Sequence, residues 1–109
     1  MLRRLFCVFE KRKNFPFKNY GEIPKTHNPA DGDPWDIFAP GYRTRIPTNK
    51  KYKIKSIMGV YWLENGNHKI AVRVNYPGFD HRWVHEDIRK SCKSYTKKTG
   101  VKGFYLPFK

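Results

Sequence analysis

Residues 30–38 read ADGDPWDIF and place Asp31, Asp33 and Asp36 within six positions of one another. The whole chain has nine acidic residues against 23 Lys and Arg, so a third of its carboxylates stand in one short stretch. Mutual repulsion makes such a cluster costly unless a cation, or basic groups folded against it, neutralises it. The triplet admits three chemistries. Asp side chains in a turn accept hydrogen bonds from neighbouring backbone N–H groups. Calcium is a second, although the following Trp35-Asp36-Ile37-Phe38 supplies neither the glycine turn nor the distant Glu of an EF-hand loop. The third is a magnesium cluster for phosphate chemistry, because hard oxygen ligands at short spacing suit Mg²⁺.

The elements that must position these residues are legible in part. At 109 residues the chain supports one domain with one modest core. Its 39% apolar and 17% aromatic content suits a folded protein, not a disordered tail. Pro16, Gly21, Pro24, the run HNPADGDP, the run APG and Pro47 punctuate residues 14–48 and leave no room there for a helix of useful length. From Lys50 the pattern changes. In KYKIKSIMGVYW, Tyr52, Ile54, Ser56, Met58 and Val60 share one face and Lys53 and Lys55 the other, which predicts a strand with one wet side. ENGN at 64–67 is a turn with the favoured Asn-Gly pair. Beyond it Ile70, Val72, Val74 and Tyr76 alternate with Lys69, Ala71, Arg73 and Asn75, so 52–62 and 69–76 form an antiparallel hairpin.

One helix is predicted between Trp83 and Lys98, where Val84, Ile88, Cys92 and Tyr95 make a single apolar stripe. Glu86 and Asp87 near its start and Lys93, Lys97 and Lys98 near its end suit the helix dipole, and Gly100 supplies the stop. The tail VKGFYLPFK is aromatic and basic and too short to be a domain. Residues 1–14 form a basic N-terminal extension with Arg3, Arg4, Lys11, Arg12 and Lys13 among Leu2, Leu5, Phe6, Val8 and Phe9. With Glu10 as its only acid it has the composition of a mitochondrial presequence, and equally of a first β-strand with basic flanks. Cys7 and Cys92 match no zinc spacing and make no disulfide framework, which points to a reducing compartment. No apolar run approaches the roughly 20 residues of a membrane span.

The segment NYGEIPKT leading into DGDPWDIF resembles the signature region of the soluble (family I) inorganic pyrophosphatases, in which Asn-Tyr-Gly-x-Ile-Pro precedes Asp-Gly-Asp-Pro-x-Asp-hydrophobic. IMGVYWLENGNHKIAV is similar to that family's Gly-Val strand, loop and Lys-Ile-x-Ala-Val strand. YPGFDHRWVHEDI resembles its Asp-Pro-Arg-Tyr segment, and SYTKKTG falls where its Tyr-Lys helix end lies. The likeness spans Phe15 to Thr99 and implies a pyrophosphatase-like domain over 15–109. The implied fold is mainly β: an OB-like, five-stranded, small antiparallel barrel of pyrophosphatase type, with a C-terminal amphipathic helix. It implies metal-ligand positions at Asp31 and Asp36, the general-base position at Asp33, and phosphate contacts at Tyr20, Lys69 and Tyr95.

The departures from that pattern bear on activity. Asn67 stands where the resemblance implies an essential metal carboxylate, and a neutral amide cannot supply the charge that holds a second Mg²⁺. Glu64 is the only acid left in that loop. Thr96 takes the place of a phosphate-binding lysine, and Phe15 or Phe17 that of a tyrosine. The longer N-terminal region of the family is absent or reduced to LFCVFEKRKNFPF. Two-metal sites fail as units when ligands are lost. The expectation is a pseudoenzyme that requires no cofactor and holds at most one weakly bound Mg²⁺, its aspartates vestigial and Asp36 paired with a lysine.

The net charge of +14 points elsewhere, to a polyanionic partner. Between Asp36 and Glu64 there is no acid, while Arg43, Arg45, Lys50, Lys51, Lys53 and Lys55 lie there. After Asp87 there is none either, while Arg89, Lys90, Lys93, Lys97, Lys98, Lys102 and Lys109 follow. Tyr42, Tyr52, Tyr95, Phe104 and Tyr105 are interleaved, so the composition is that of an RNA-binding surface with aromatics to stack on bases. The resulting expectation is a structural protein of a large RNA-containing assembly, foremost a mitochondrial ribosome, in contact with ribosomal RNA and neighbouring proteins. Two alternatives stand beside it: an accessory subunit of a respiratory or ATP-synthase complex with its basic face on anionic lipid, and an active Mg²⁺ pyrophosphatase completed by a partner chain.

Overall fold

The computed structural model describes residues 5–108. Leu2, Arg3, Arg4 and Lys109, which entered the account of the two ends, lie outside the described residues. Six strands make one sheet: β1 Phe6–Glu10, β2 Tyr20–Ile23, β3 Trp35–Phe38, β4 Lys51–Leu63, β5 Lys69–Val74 and β6 Gly103–Pro107. Their order is β1-β2-β3-β5-β4-β6, and β1 pairs with β4 as well, so the first five strands close into an OB-like barrel. A 3₁₀ turn at His81–Trp83 leads into the one α-helix among the described residues, α1, Val84–Thr99, which ends on Gly100 in the left-handed conformation at φ 77°.

The barrel is not wholly antiparallel. β3 runs parallel to β5, with Asp36 opposite Lys69, Ile37 opposite Ile70 and Phe38 opposite Ala71. This corrects the antiparallel expectation. The cause is topological, because β4 and β5 form a hairpin, and closing it onto β3 leaves one seam where the chain directions agree. The first strand is a barrel strand, paired with β2 through Phe9 and Gly21 and with β4 through Cys7 and Tyr52. The segment set apart as an extension therefore contributes to the domain itself, with Cys7 and Phe9 in its core.

β4 touches three partners: β1 near its start, β5 through its middle, β6 at its end. Thirteen residues manage this by bending at two register shifts, between Ile54 and Ser56 and between Ile57 and Gly59. Each shift moves the inward position by one residue. Ile54 opposes Val74 and Ile57 opposes Val72 in the core, while Met58 turns out under the helix. Ser56 and Met58 thus leave the face assigned to them by simple alternation. The two shifts cancel, and Val60 again opposes the inward Ile70.

Two apolar cores result. One fills the barrel, built from Cys7, Phe9, Ile37, Tyr52, Ile54, Val72 and Val74, and capped by Tyr42 and Ile46 of the β3–β4 connection. The other lies between the outer barrel wall and α1, where Tyr20, Phe38, Tyr61 and Ala71 meet Ile88 and Tyr95. The stripe Val84, Ile88, Cys92, Tyr95 faces this second core as its spacing requires.

The Asn19-Tyr20-Gly21 motif has a structural account. Asn19 is buried at φ 55°, and its Oδ1 accepts from Ile46 N at 2.7 Å, which ties the β3–β4 connection to the start of β2. A Cβ on Gly21 would fall 1.9 Å from the Val8 carbonyl oxygen. Gly21→Ala is therefore expected to lower stability by about 1–3 kcal/mol, read as a fall in the urea midpoint. An unchanged midpoint would mean that β1 does not lie over Gly21.

Candidate functional site

Cross-strand register on the outer wall creates the site. Glu22 on β2 stands opposite Asp36 on β3, and Asp36 opposite Lys69 on β5. In the adjacent row Glu10 on β1 stands opposite Tyr20 on β2. These side chains line a cleft of about 470 Å³ together with Arg12, Asp31, Asp33, Asn67 and Tyr95. The candidate residues Tyr20, Asp31, Asp33, Asp36, Lys69 and Tyr95 thus share one cleft although they span most of the chain.

Lys69 is its centre. The side chain is 2% exposed, and Nζ donates to Asp36 Oδ2 at 2.8 Å and to the Tyr20 hydroxyl at 2.7 Å. It also lies over the Tyr95 ring at 5.5 Å. Burial pushes the ammonium below its ordinary value, and the Asp36 carboxylate opposes the shift. Burial, and after it the nearby Asp36 charge, raises the Tyr20 phenol, which stays protonated. Asn67 completes the group. With its amide oriented by its neighbours, nitrogen donates to Asp36 Oδ2 at 3.0 Å and oxygen accepts from Lys69 Nζ at 3.3 Å. Asp36 is paired with a lysine as the sequence leads one to expect.

The other two aspartates are exposed on the turn between β2 and β3. Asp31 Oδ1 accepts from Asp33 N at 2.9 Å, the turn-capping chemistry of short Asp side chains. Asn28 organises this turn, because its carbonyl oxygen accepts from Gly32 N at 2.7 Å and its Nδ2 donates to Gly66 O at 3.1 Å, across to the β4–β5 hairpin. Among the described residues no three His, Cys, Asp or Glu side chains come together as a metal-holding group. Asp36 Oδ2 receives an ammonium and an amide, and Asp31 Oδ1 a backbone N–H. The cleft is nonetheless acidic. Burial first, then the charges of Glu10, Asp36 and Asp33, raises the Glu22 carboxyl above its ordinary value.

Glu10, Arg12 and Glu22 were not singled out from the sequence. Their signal was the strand alternation itself, which puts Glu10 and Glu22 on the same outer wall as Tyr20 and Asp36. Arg12 folds back over the Phe15 ring at 4.5 Å, so Phe15 lines the cleft while Phe17 is buried behind it. Thr96 does not face the cleft. Its hydroxyl meets the Tyr61 hydroxyl at 2.6 Å between helix and barrel, and Lys97 lies on the β6 side of α1. Burial raises both thiols, Cys7 and Cys92, to about 12, so neither is a nucleophile at neutral pH.

All twelve basic residues assigned to RNA, Arg43, Arg45, Lys50, Lys51, Lys53, Lys55, Arg89, Lys90, Lys93, Lys97, Lys98 and Lys102, are exposed. Lys51, Lys53 and Lys55 stand on the outer face of β4, and Arg73 of β5 extends their row. The aromatic half of that assignment is corrected. Tyr42, Tyr52 and Tyr95 are 2%, 9% and 7% exposed, because each fills one of the two cores, and Tyr105 is half-buried. Of the five aromatics assigned to stacking, Phe104 alone is exposed. No described helix is long and apolar enough to cross a membrane. No family model, curated protein or solved structure matches the chain.

His68 holds the hairpin that presents Asn67 and Lys69. Its Nδ1 accepts from Leu63 N at 2.9 Å, and its ring packs beside Trp35 and Trp62. Burial, and then the Lys69 charge, lowers its pKa from the ordinary 6.5. The unfolded chain therefore binds this proton more readily than the folded one. The stability from neutral His68 is full above pH 6.5 and is lost as pH falls through the lower folded value. Thermal melts between pH 7.5 and 5 are expected to show a fall in Tm that His68→Gln reduces. Equal slopes in both proteins would refute this role.

Proposed function

We propose that this chain is a catalytically degenerate relative of the soluble inorganic pyrophosphatases that serves as a structural protein of a large RNA-containing assembly. A mitochondrial ribosome is the best candidate. The carrying observation is the division of charge. The acidic cleft occupies the outer wall of β1, β2, β3 and β5, while the lysine row Lys51, Lys53 and Lys55, with Arg73, stands exposed on β4 and β5. Phosphate oxygens are the fitting partners for that row. With the tyrosines buried, contact runs through the nucleic-acid backbone and carries little sequence information.

Support for lost catalysis comes from Asn67, whose neutral amide donates to Asp36 where the resemblance implies a metal-binding carboxylate, and from Lys69, which balances the Asp36 charge. A carboxylate at position 67 would face Asp36 at hydrogen-bond distance. Pyrophosphate turnover with Mg²⁺ is accordingly expected at background, and millimolar Mg²⁺ should leave Tm unchanged. Asn67→Asp should lower Tm in the absence of Mg²⁺ and regain it when Mg²⁺ is added. Turnover abolished by Asp33→Asn would instead identify a working enzyme.

A mitochondrial address would have to be carried without cleavage beyond the first strand, because losing β1 would open the barrel and remove Cys7 and Phe9 from its core. The RNA contact is tested by salt. Each phosphate neutralised contributes a log–log slope of roughly 0.7–0.9. Replacing Lys51, Lys53, Lys55 and Arg73 with Gln should flatten the slope by about 3 with the fold intact. Crosslinking in the native particle should give nucleotide adducts on this row. Adducts to lipid or protein alone would replace the ribosomal proposal with the membrane-complex alternative.

A further inference from the structure

β6 forms the open end of the sheet, and a groove of about 600 Å³ runs between it and α1. The floor is apolar, with Met58, Ile88, Cys92 and Tyr105. It continues past Cys92 into a second hollow bordered by Lys93, Lys97 and Gly103. Neither stretch is lined by an Asp or Glu. The helix-side rim is His81 of the 3₁₀ turn and then His85, Arg89, Lys93 and Lys97 of α1, the last four recurring every fourth residue, about 6 Å apart along the helix axis. Arg89 forms a surface pair with Glu86 at 2.8 Å. The other four have no ion-pair partner among the described residues.

The opposite bank is a free strand edge. On its inner side Lys102 O accepts from Glu64 N and Phe108 N donates to Met58 O. Antiparallel alternation then turns the backbone groups of Gly103 and Tyr105 away from β4. Pro107, in the same phase, has no N–H to offer and limits how far a partner strand can pair. The face of β6 away from α1 carries an apolar stripe of Phe104, Leu106 and Phe108 at 62%, 50% and 49% exposure, beside the exposed Trp62.

We propose that β6 and α1 bind an extended segment of a neighbouring protein in which acidic and apolar residues alternate. An added strand repeats its same-side residues every ~6.6–6.8 Å, close to the spacing of the basic rim. Its acidic side chains cross the apolar floor with their methylenes and reach the rim with their carboxylates. The apolar ones cover Phe104 and Leu106, and its backbone pairs with Gly103 and Tyr105. A second copy of this chain does not fit, because GFYLP brings no acid to the rim and pairing two β6 strands would set two basic rims against each other. The proposal does not rest on the RNA contact of the β4 row.

The test uses the full chain, labelled with ¹⁵N, and an end-blocked octapeptide alternating Glu and Val. Amide exchange at Gly103 and Tyr105 is expected to slow at least tenfold at saturation. Arg89→Gln, Lys93→Gln and Lys97→Gln together should raise Kd at least tenfold with an unchanged circular dichroism spectrum. Leu106→Glu should weaken binding independently through the apolar stripe. No protection by this peptide at millimolar concentration would overturn the proposal. So would equal protection by a Lys-Val peptide, protection by an oligouridylate, or protection that grows with protein concentration alone.

Discussion

The parallel seam between β3 and β5 is the constraint from which the rest of the molecule follows. It closes the barrel, and it brings Asp36 opposite Lys69 although 33 positions separate them. An ammonium that is 2% exposed is stable only with its partners in place, since desolvating an unpaired charge costs several kcal/mol. Asp36, the Tyr20 hydroxyl and the Asn67 amide supply them. The same contacts fix β2, β3 and the β4–β5 hairpin relative to one another. The cleft is thus a structural junction as much as a site, and a chain that no longer turned over a substrate would still keep these side chains.

This dual use explains what was legible in the sequence. The hairpin was, because its inward residues alternate on β5 and Asn-Gly marks the turn. The helix was, because four apolar residues at steps of four, four and three define a stripe, and Gly100 ends it. Its start differs by one residue, since a 3₁₀ turn precedes it. The two register shifts in β4 were not legible. Ser56 and Met58 preserve alternation in the sequence, and the need to bend arises only when one strand must reach three partners. The parallel seam was equally hidden, since pairing direction is set by closure and leaves no mark in a short segment such as WDIF.

The candidate site was legible as a list of residues and not as an arrangement. Spacing within ADGDPWDIF says nothing of which aspartate will meet an ammonium. Register decides that Asp36 does and that Asp31 and Asp33 remain on the turn. Glu10 and Glu22 carry no such signal, because each is isolated among basic or apolar neighbours in the sequence, and only strand pairing gathers them. The reverse error concerned Tyr42, Tyr52 and Tyr95. Sequence proximity to basic residues suggests stacking surfaces, but Tyr52 alternates inward between Lys51 and Lys53 on β4, Tyr95 lies on the apolar stripe of α1, and Tyr42 of the β3–β4 connection caps the barrel core.

That same alternation sorts the charge of the whole molecule. Five acidic side chains, Glu10, Glu22, Asp31, Asp33 and Asp36, line one cleft. They repel a polyanion from the wall formed by β1, β2 and β3. The face of an OB-like barrel that otherwise takes oligonucleotides lies on strands 2 and 3, and here it is the acidic one. A nucleic acid brought near by the net charge of +14 is therefore directed away from that wall. Lysines 51, 53 and 55 are outward because Tyr52 and Ile54 between them must be inward. The packing requirement of the barrel core thereby sets the basic row that the proposed RNA contact would use.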